Sequence, residues 1–462
     1  MNPDSAEALA ADYKAGRLSP VEATRASLAR IDAWEPKLNA MYRVDRDGAL
    51  AQARAAEARW RDGAPLSPLD GVPITIKENI TTRGDPAPIG TRANEDLPPQ
   101  KDDAPAAARV REAGCVILGK TTMPDYGMLS SGVSSLHGVT RNPWMLNRNP
   151  SGSSSGAGAA AAAGYAPLHL GTDIGGSVRL PATHCGIFAL KPSLGRVPVH
   201  PPYMGRVVGP MTRSVGDAVL LMNVIARPDA RDFMSLPPRQ GDFTLEKAGK
   251  VRIGFLPDMG VGLAVQPEVR AAVEAAATAL ANAGCAVESI RSFLTPEMLD
   301  GMCRFFEARS HNDLAQLPAA RRAKVHPFVA EWCTWRAGGF SGRDVMQAYG
   351  LVMAMREAAV AATEPYDFLL SPTSPIVAYD AELPAPGNDA HDALPHIAFT
   401  VPWNMSEQPA ASVNWSWSAD GLPIGVQLIG KRFDDAGVLR LARLIEQIRP
   451  KQRPWPRQPA AA

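Results

Sequence analysis

Three short stretches hold residues whose types and spacing could break a bond. In "PSGSSSGAGAAAAAG" (150–164), Ser153, Ser154 and Ser155 stand between glycines. In "GTDIGGSVR" (171–179), Ser177 directly follows two glycines. In "GVPITIKENI" (71–80), Lys77 follows a β-rich, mostly uncharged run. A serine closing such a turn at the end of a strand can have backbone N–H groups converging near its hydroxyl, which is what an oxyanion hole requires. Serine alone is a poor nucleophile toward an amide and needs a base. No histidine in the region stands out by motif, so a Ser-His-Asp arrangement is not suggested. A lysine can serve if burial strips its proton. Lys77 is the candidate, although a lone lysine in a strand is ordinarily a surface or salt-bridged one.

The elements around these residues decide whether they can meet. The Ser/Gly run has a linker's composition, yet it leads into an alanine helix and then an apolar strand within a dozen residues, which points to a buried turn. Glycines there allow close backbone approach. A phosphate-cradling loop is not indicated, because neither GxxxxGK[ST] nor GxGxxG is present. Upstream, "LSPVEATRASLARIDAW" opens with Ser19, Pro20 and Glu22, a capping-box helix start. "GVPITIKENI" and "GCVILGK" read as strands with the helix "DAPAAARVREAG" between them. Strand and helix alternation predicts an α/β architecture with a mainly parallel sheet. The polar, Pro-rich "RPDARDFMSLPPRQGD" reads as a surface excursion, because the later strands "FLLSPT" and "LPIGVQLIG" are fit to join a sheet begun earlier. The end beyond Arg449 reads as frayed.

Composition narrows the classes. Basic and acidic residues number 48 and 47 in 462, so no field points to nucleic acid or an anionic membrane. The first residues lack a basic region followed by an apolar one, and no segment approaches a spanning length; a soluble, cytoplasmic protein is expected. The five cysteines are widely spaced without a CxxC pair, and the histidines lack ligand spacing. Neither a disulfide framework, nor a metal, nor another cofactor is signalled.

"GVPITIKEN", "PSGSSSGAGAAAAAG" and "GTDIGGSVRLPA", in that order and spacing, resemble the amidase signature family of serine hydrolases. "AGCVILGKTTMPDYGM", "GIFALKPSLGRV", "GPMTRSVGD", "YDFLLSPTSP", "FTVPWN" and "GLPIGVQLIG" extend the likeness, densely over Leu69–Ala230 and more thinly over Tyr366–Ala442. The resemblance implies a three-layer α/β/α fold, a large mixed β-sheet core covered by helices, in one domain over 1–462. Its parts are a helical region (1–65), the signature core (66–230), a helical substrate cap (231–365) and the rest of the core (366–462). It also implies a Ser-cisSer-Lys triad. By motif, Ser177 is the nucleophile, Ser153 the bridging serine after a cis peptide, and Lys77 the base. The resemblance gives the oxyanion hole to the N–H groups of Ile174, Gly175 and Gly176, and a supporting hydrogen bond to Ser154. Asp173 and Arg179 brace the nucleophile turn, for which a purely structural ion pair is an equal reading. Gly127, Met128 and Leu129 are expected to line the acyl side. Because Lys77 must be neutral, activity should rise toward alkaline pH.

The chain departs from the family's pattern at Ser151, Ser155, Glu78, Glu407 and Asn414, which bears on the pocket wall and hence the substrate. The stretch from Met298 to Arg356, with Phe305, Phe306, Trp332 and Trp335, shows little likeness to family blocks and is expected to cap the site, with a plain helix core an equal reading of these aromatics. Such a rim favours a small aryl or apolar amide or carbamate (urethane), with ester cleavage as a side activity. The alternative is a protein like the glutamine-hydrolysing A-subunit of an amidotransferase, which needs a partner. Homodimers are common in the family, but no residue here establishes one.

Overall fold

The computed structural model describes residues 5–246 and 249–457. Eleven strands form one sheet: β1 (Met41–Val44), β2 (Pro73–Lys77), β3 (Val116–Thr121), β4 (Leu168–Asp173), β5 (Phe188–Lys191), β6 (Val207–Thr212), β7 (Arg252–Phe255), β8 (Ala286–Ser289), β9 (Phe368–Pro372), β10 (Ala410–Trp417) and β11 (Pro423–Gly430). Their spatial order is β1-β3-β2-β4-β6-β5-β10-β11-β9-β7-β8. β9, β10 and β11 thus join the sheet that the first half of the chain begins, and 227–242 is an excursion between strands of the same sheet.

Helix and strand alternation alone predicts a mainly parallel sheet, and this is corrected. β2 pairs in parallel with β3 and β4, and β9 and β8 pair in parallel with β7, whereas the other six pairings are antiparallel. The physical reason is local: β10 and β11 are joined by a short turn closed by Ser418 and Leu422, too short for a crossover, so they must run antiparallel. The mixed sheet matches the family-level expectation.

The helix at Pro20–Leu38 begins with the expected capping box, Ser19 Oγ accepting from Glu22 N–H and Glu22 accepting from Ser19 N–H. The helix at Ser155–Ala163 is buried at every residue. Its small side chains let it lie between the sheet and the helix at Arg179–Cys185, which brings both glycine-rich turns to one end of the strands. Farther along, the helices Pro296–Ala315 and Gly342–Thr363 pack against each other over an apolar cluster containing Met302, Phe306, Trp332 and Met355. Among the described residues no helix is long and apolar enough to cross a membrane.

The C-terminal segment differs from the frayed end expected of it, at least as far as residue 457; residues 458–462 lie outside the described residues. Gln452 bonds Asn414 and the Trp415 carbonyl, and Trp455 lies under the Arg213 guanidinium at 4.5 Å and beside Trp144. Composition suggested a loose end, but a hydrogen-bonded glutamine and an aromatic anchor hold it.

Candidate active site

Lys77 is the last residue of β2, and strands on both sides bury it completely. Its Nζ lies 2.8 Å from Ser153 Oγ and 2.9 Å from Thr172 Oγ1. Asn79 Nδ2 donates to the same threonine oxygen at 3.1 Å. Burial pushes the Lys77 amine well below its ordinary pKa, and the positive charge of Arg206 pushes it further; Asp173 and Glu78 oppose this. An uncharged amine offers a lone pair to the Ser153 hydroxyl, which is the condition for a base.

The bond between Gly152 and Ser153 is cis. Gly152 is required where it stands, because a Cβ there would lie 2.4 Å from the Ser131 carbonyl oxygen. Ser151, in the place of a family glycine, adopts φ +62°, and Asn149 Oδ1 accepts its N–H. Gly127 lies against Ser153: at φ +67°, a Cβ would fall 3.2 Å from Ser153 Oγ.

The turn that carries Ser177 is built on the carboxylate of Asp173, at the end of β4. It accepts the N–H groups of Gly176 (2.8 Å) and Val178 (3.2 Å). Arg179 meets it through two bonds, 3.0 Å from Nε and 2.9 Å from Nη2. Asn404 Nδ2 adds a third side-chain donor at 2.9 Å. The remaining Arg179 donors go to Thr400 O, Gln427 Oε1 and Asn404 Oδ1, so a fully buried ion pair has all its partners. Burial alone would raise the Asp173 pKa; the charge and hydrogen bonds of Arg179, with Asn404, overcome it and hold the group below the usual carboxylate range. Ser177 is 8% exposed and borders a cleft of about 530 Å³ together with Ser153, Gly127 and Met128. Ser154 N–H donates to the Ser177 carbonyl at 3.2 Å, tying the two serine turns together.

The structure departs from the sequence reading in several places. The Gly176 N–H is taken by the Asp173 carboxylate, whereas among the described residues the amides of Ile174, Gly175 and Ser177 have no acceptor. The tight turn uses Gly176 as an internal donor. Ser154 Oγ makes no hydrogen bond to Lys77, Ser153 or Ser177. It bonds the Thr172 backbone, donating to O at 3.1 Å and accepting from N at 3.3 Å. Leu129 is buried in a hydrophobic cluster, whereas Gly127 and Met128 line the cleft. Ser177 Oγ makes no hydrogen bond to Ser153 in this structure, so the Lys77–Ser153 link is formed and the next is open.

Of the aromatics expected over the site, Phe306 does lie there, 3.9 Å from where a Cβ on Gly175 would stand and beside Arg309, and the other three do not. Trp332 borders a separate cavity of about 410 Å³ with Leu299, Cys303 and Arg336, and Trp335 stacks on His391 at the surface. Phe305 packs beside Tyr349. The helix Pro296–Ala315 also sends Arg309 and Asp313 to the cleft, which Arg206 and Tyr203 border as well. Thr172 and Asn79 lie inside the quoted blocks "GTDIGGSVRLPA" and "GVPITIKEN" but were given no role there, and Arg206 and Arg309 lie outside every quoted block. The five cysteines are free thiols, and among the described residues no group of His, Cys, Asp and Glu side chains is arranged to hold a metal.

Comparison with known proteins shows the family. The Amidase family model matches residues 22–439, so the match runs through the central region in which the sequence blocks were hard to see. The A-subunit of the glutamyl-tRNA(Gln) amidotransferase from Myxococcus xanthus is 36% identical, over 95% of this chain and 96% of that one. A bacterial aryl acylamidase of the amidase signature family superposes with TM-score 0.89 at 28% identity, covering 97% of this chain and 96% of that one. A substrate complex of 6-aminohexanoate cyclic dimer hydrolase gives 0.86 at 28% identity and 99% of both chains.

Proposed function

The chain belongs to the amidase family, and on that premise we propose that it hydrolyses the C–N bond of a small amide through an acyl-enzyme on Ser177. The observation that carries this reading is the 2.8 Å contact between a fully buried Lys77 amine and Ser153 Oγ, in the cleft that Ser177 borders. Neutral Lys77 takes the proton of Ser153 as Ser153 takes that of Ser177, and Ser177 Oγ attacks the carbonyl. The oxyanion is received by the N–H groups of Ile174, Gly175 and Ser177. Ser153 then returns the proton to the departing amine, and water releases the acid by the same steps.

The substrate we propose has an aryl or apolar body. Tyr126, Met128, Ile174 and Tyr203 give the cleft apolar faces, and an aryl acylamidase shares the fold across nearly the whole chain. An aryl carbamate or ester presents the same sp2 carbonyl and is expected to react as well. The purified chain is to be assayed on an aryl amide, an aryl carbamate, an aryl ester and glutamine, each repeated with Ser177→Ala. Turnover of an aryl substrate that disappears in the variant is the expected result; turnover that survives it refutes the assignment of the nucleophile.

A second reading is favoured by the 36% identity to the Myxococcus xanthus amidotransferase component: a protein that frees ammonia from glutamine only in an assembly. Glutamine hydrolysis absent from the isolated chain and appearing with partner proteins would select it.

A further inference from the structure

We propose that Arg206 and Arg309 form a carboxylate-binding site in the cleft, so that the amide substrate carries an anionic group. The inference rests on the reading of Ser177 as the group that opens the amide, and it adds the substrate's charge. Both arginines border the cleft that holds Ser153 and Ser177. Three other buried or half-buried arginines face carboxylates: Arg179 meets Asp173, Arg336 meets Glu307, and Arg356 meets Glu407. Among the described residues neither Arg206 nor Arg309 has a carboxylate within ion-pair distance. Arg206 has one long bond, 3.5 Å to the Pro201 carbonyl, and the Nε of Arg309 is buried without a partner. Asp313 borders the same cleft without pairing to either arginine, which leaves both guanidinium groups available.

Two half-buried cations sharing a cleft repel each other, and an anion between them relieves the repulsion. The effect is visible on Arg206, whose pKa is pushed down by burial and then by the charge of Arg309. Arg309 is also held in place, its guanidinium 5.0 Å from the centre of the Tyr203 ring and 5.6 Å from that of Phe306. Rings on which a guanidinium stacks fix its plane before the ligand arrives, so little freedom is lost on binding. A planar fork of N–H donors matches a carboxylate. The apolar faces of Tyr126 and Met128 in the same cleft suit a hydrocarbon body between that carboxylate and the amide.

The test compares kcat/KM for neutral acetanilide with 4-acetamidobenzoate, which is anionic on the amine side, and succinanilate, which is anionic on the acyl side. The wild-type chain should prefer one anionic substrate by at least about tenfold. In Arg206→Met and Arg309→Met the ratio of anionic to neutral should fall toward unity. A wild-type ratio of one or below, or a ratio unchanged in both variants, overturns the proposal. Calorimetry of benzoate against benzyl alcohol on Ser177→Ala reads the site without turnover. Benzoate binding at least about tenfold tighter, and weakened by either arginine change, supports it; equal binding overturns it. Benzoate binding of this kind with no hydrolysis of any amide would refute the amidase reading and leave the anion site standing.

Discussion

Replacing Asp173 by asparagine keeps the shape of the side chain and removes its charge, at the point on which the nucleophile turn is hung. Every group around the carboxylate is a donor. Oδ1 accepts from Gly176 N, Arg179 Nη2 and Asn404 Nδ2, and Oδ2 accepts from Val178 N and Arg179 Nε. An asparagine must turn its NH2 toward one of these sets, so at least two bonds become donor against donor, and Arg179 stays buried without a counter-charge. Breaking a buried pair by removing one partner costs about 3–5 kcal/mol. With an unfolding entropy of roughly 2.1 cal/mol/K per residue, a chain of this length has about 1 kcal/mol/K, so Tm should fall by about 3–5 °C. Catalysis should suffer more than stability, because either the Gly176 or the Val178 amide loses the acceptor that positions Ser177 between them; a fall in kcat/KM of about a hundredfold or more is expected. The assays are scanning calorimetry at a fixed rate and hydrolysis of an aryl amide. The sign of the pH dependence adds a control. The pKa of Asp173 is depressed on folding, so its contribution is complete above the usual carboxylate range and is lost only as pH falls toward the folded value. The gap between wild type and variant should therefore be constant from neutral pH down to about 5 and close in stronger acid. A variant within about 1 °C of wild type at neutral pH, with unimpaired turnover, would refute the claim that this ion pair builds the turn.

The pH profile of kcat/KM for a neutral amide should rise through the ionisation of Lys77 and level off well below the ordinary lysine range, because the base works unprotonated; a rate independent of pH from acid to alkaline contradicts this. Arg206→Met removes a positive charge that lowers the Lys77 pKa, so the rising limb should move to higher pH, and a shift to lower pH overturns the electrostatic account. Thr172→Val deletes the second acceptor of Lys77 Nζ and the anchor of Asn79. It should lower kcat by about 5- to 100-fold with KM little changed, measured by steady-state kinetics on the same amide. Gly127→Ala places a methyl 3.2 Å from Ser153 Oγ at φ +67°, where alanine costs roughly 1–2 kcal/mol; kcat should fall sharply while Ser153→Ala shows no further loss from the added alanine.

The sequence by itself determined what is local. The capping box at Ser19 and Glu22, the strands that end at Lys77 and Asp173, the alanine helix after the serine run and the two glycine-rich turns each follow from a few adjacent residues, and so they could be read without coordinates. Ser153, Ser177 and Lys77 were legible because their neighbours are unusual within ten positions on either side. Tertiary structure decided which donors and acceptors meet. Gly176 was a natural oxyanion donor in the chain until Asp173, three residues back, folded over to take its N–H. Ser154 sits next to Ser153 in sequence, yet it serves the backbone of Thr172. Trp332 and Trp335 had the composition of a lid and were drawn instead to a neighbouring cavity and to the surface, because the burial of an aromatic ring has no directional preference that a sequence can display. Arg206 and Arg309 stand about a hundred residues apart in unremarked stretches, and only the approach of the helix Pro296–Ala315 to the strand ends puts two like charges beside Ser177. Periodicity and turn chemistry are carried by neighbouring residues, whereas the electrostatics of a cleft belongs to residues brought together only by packing.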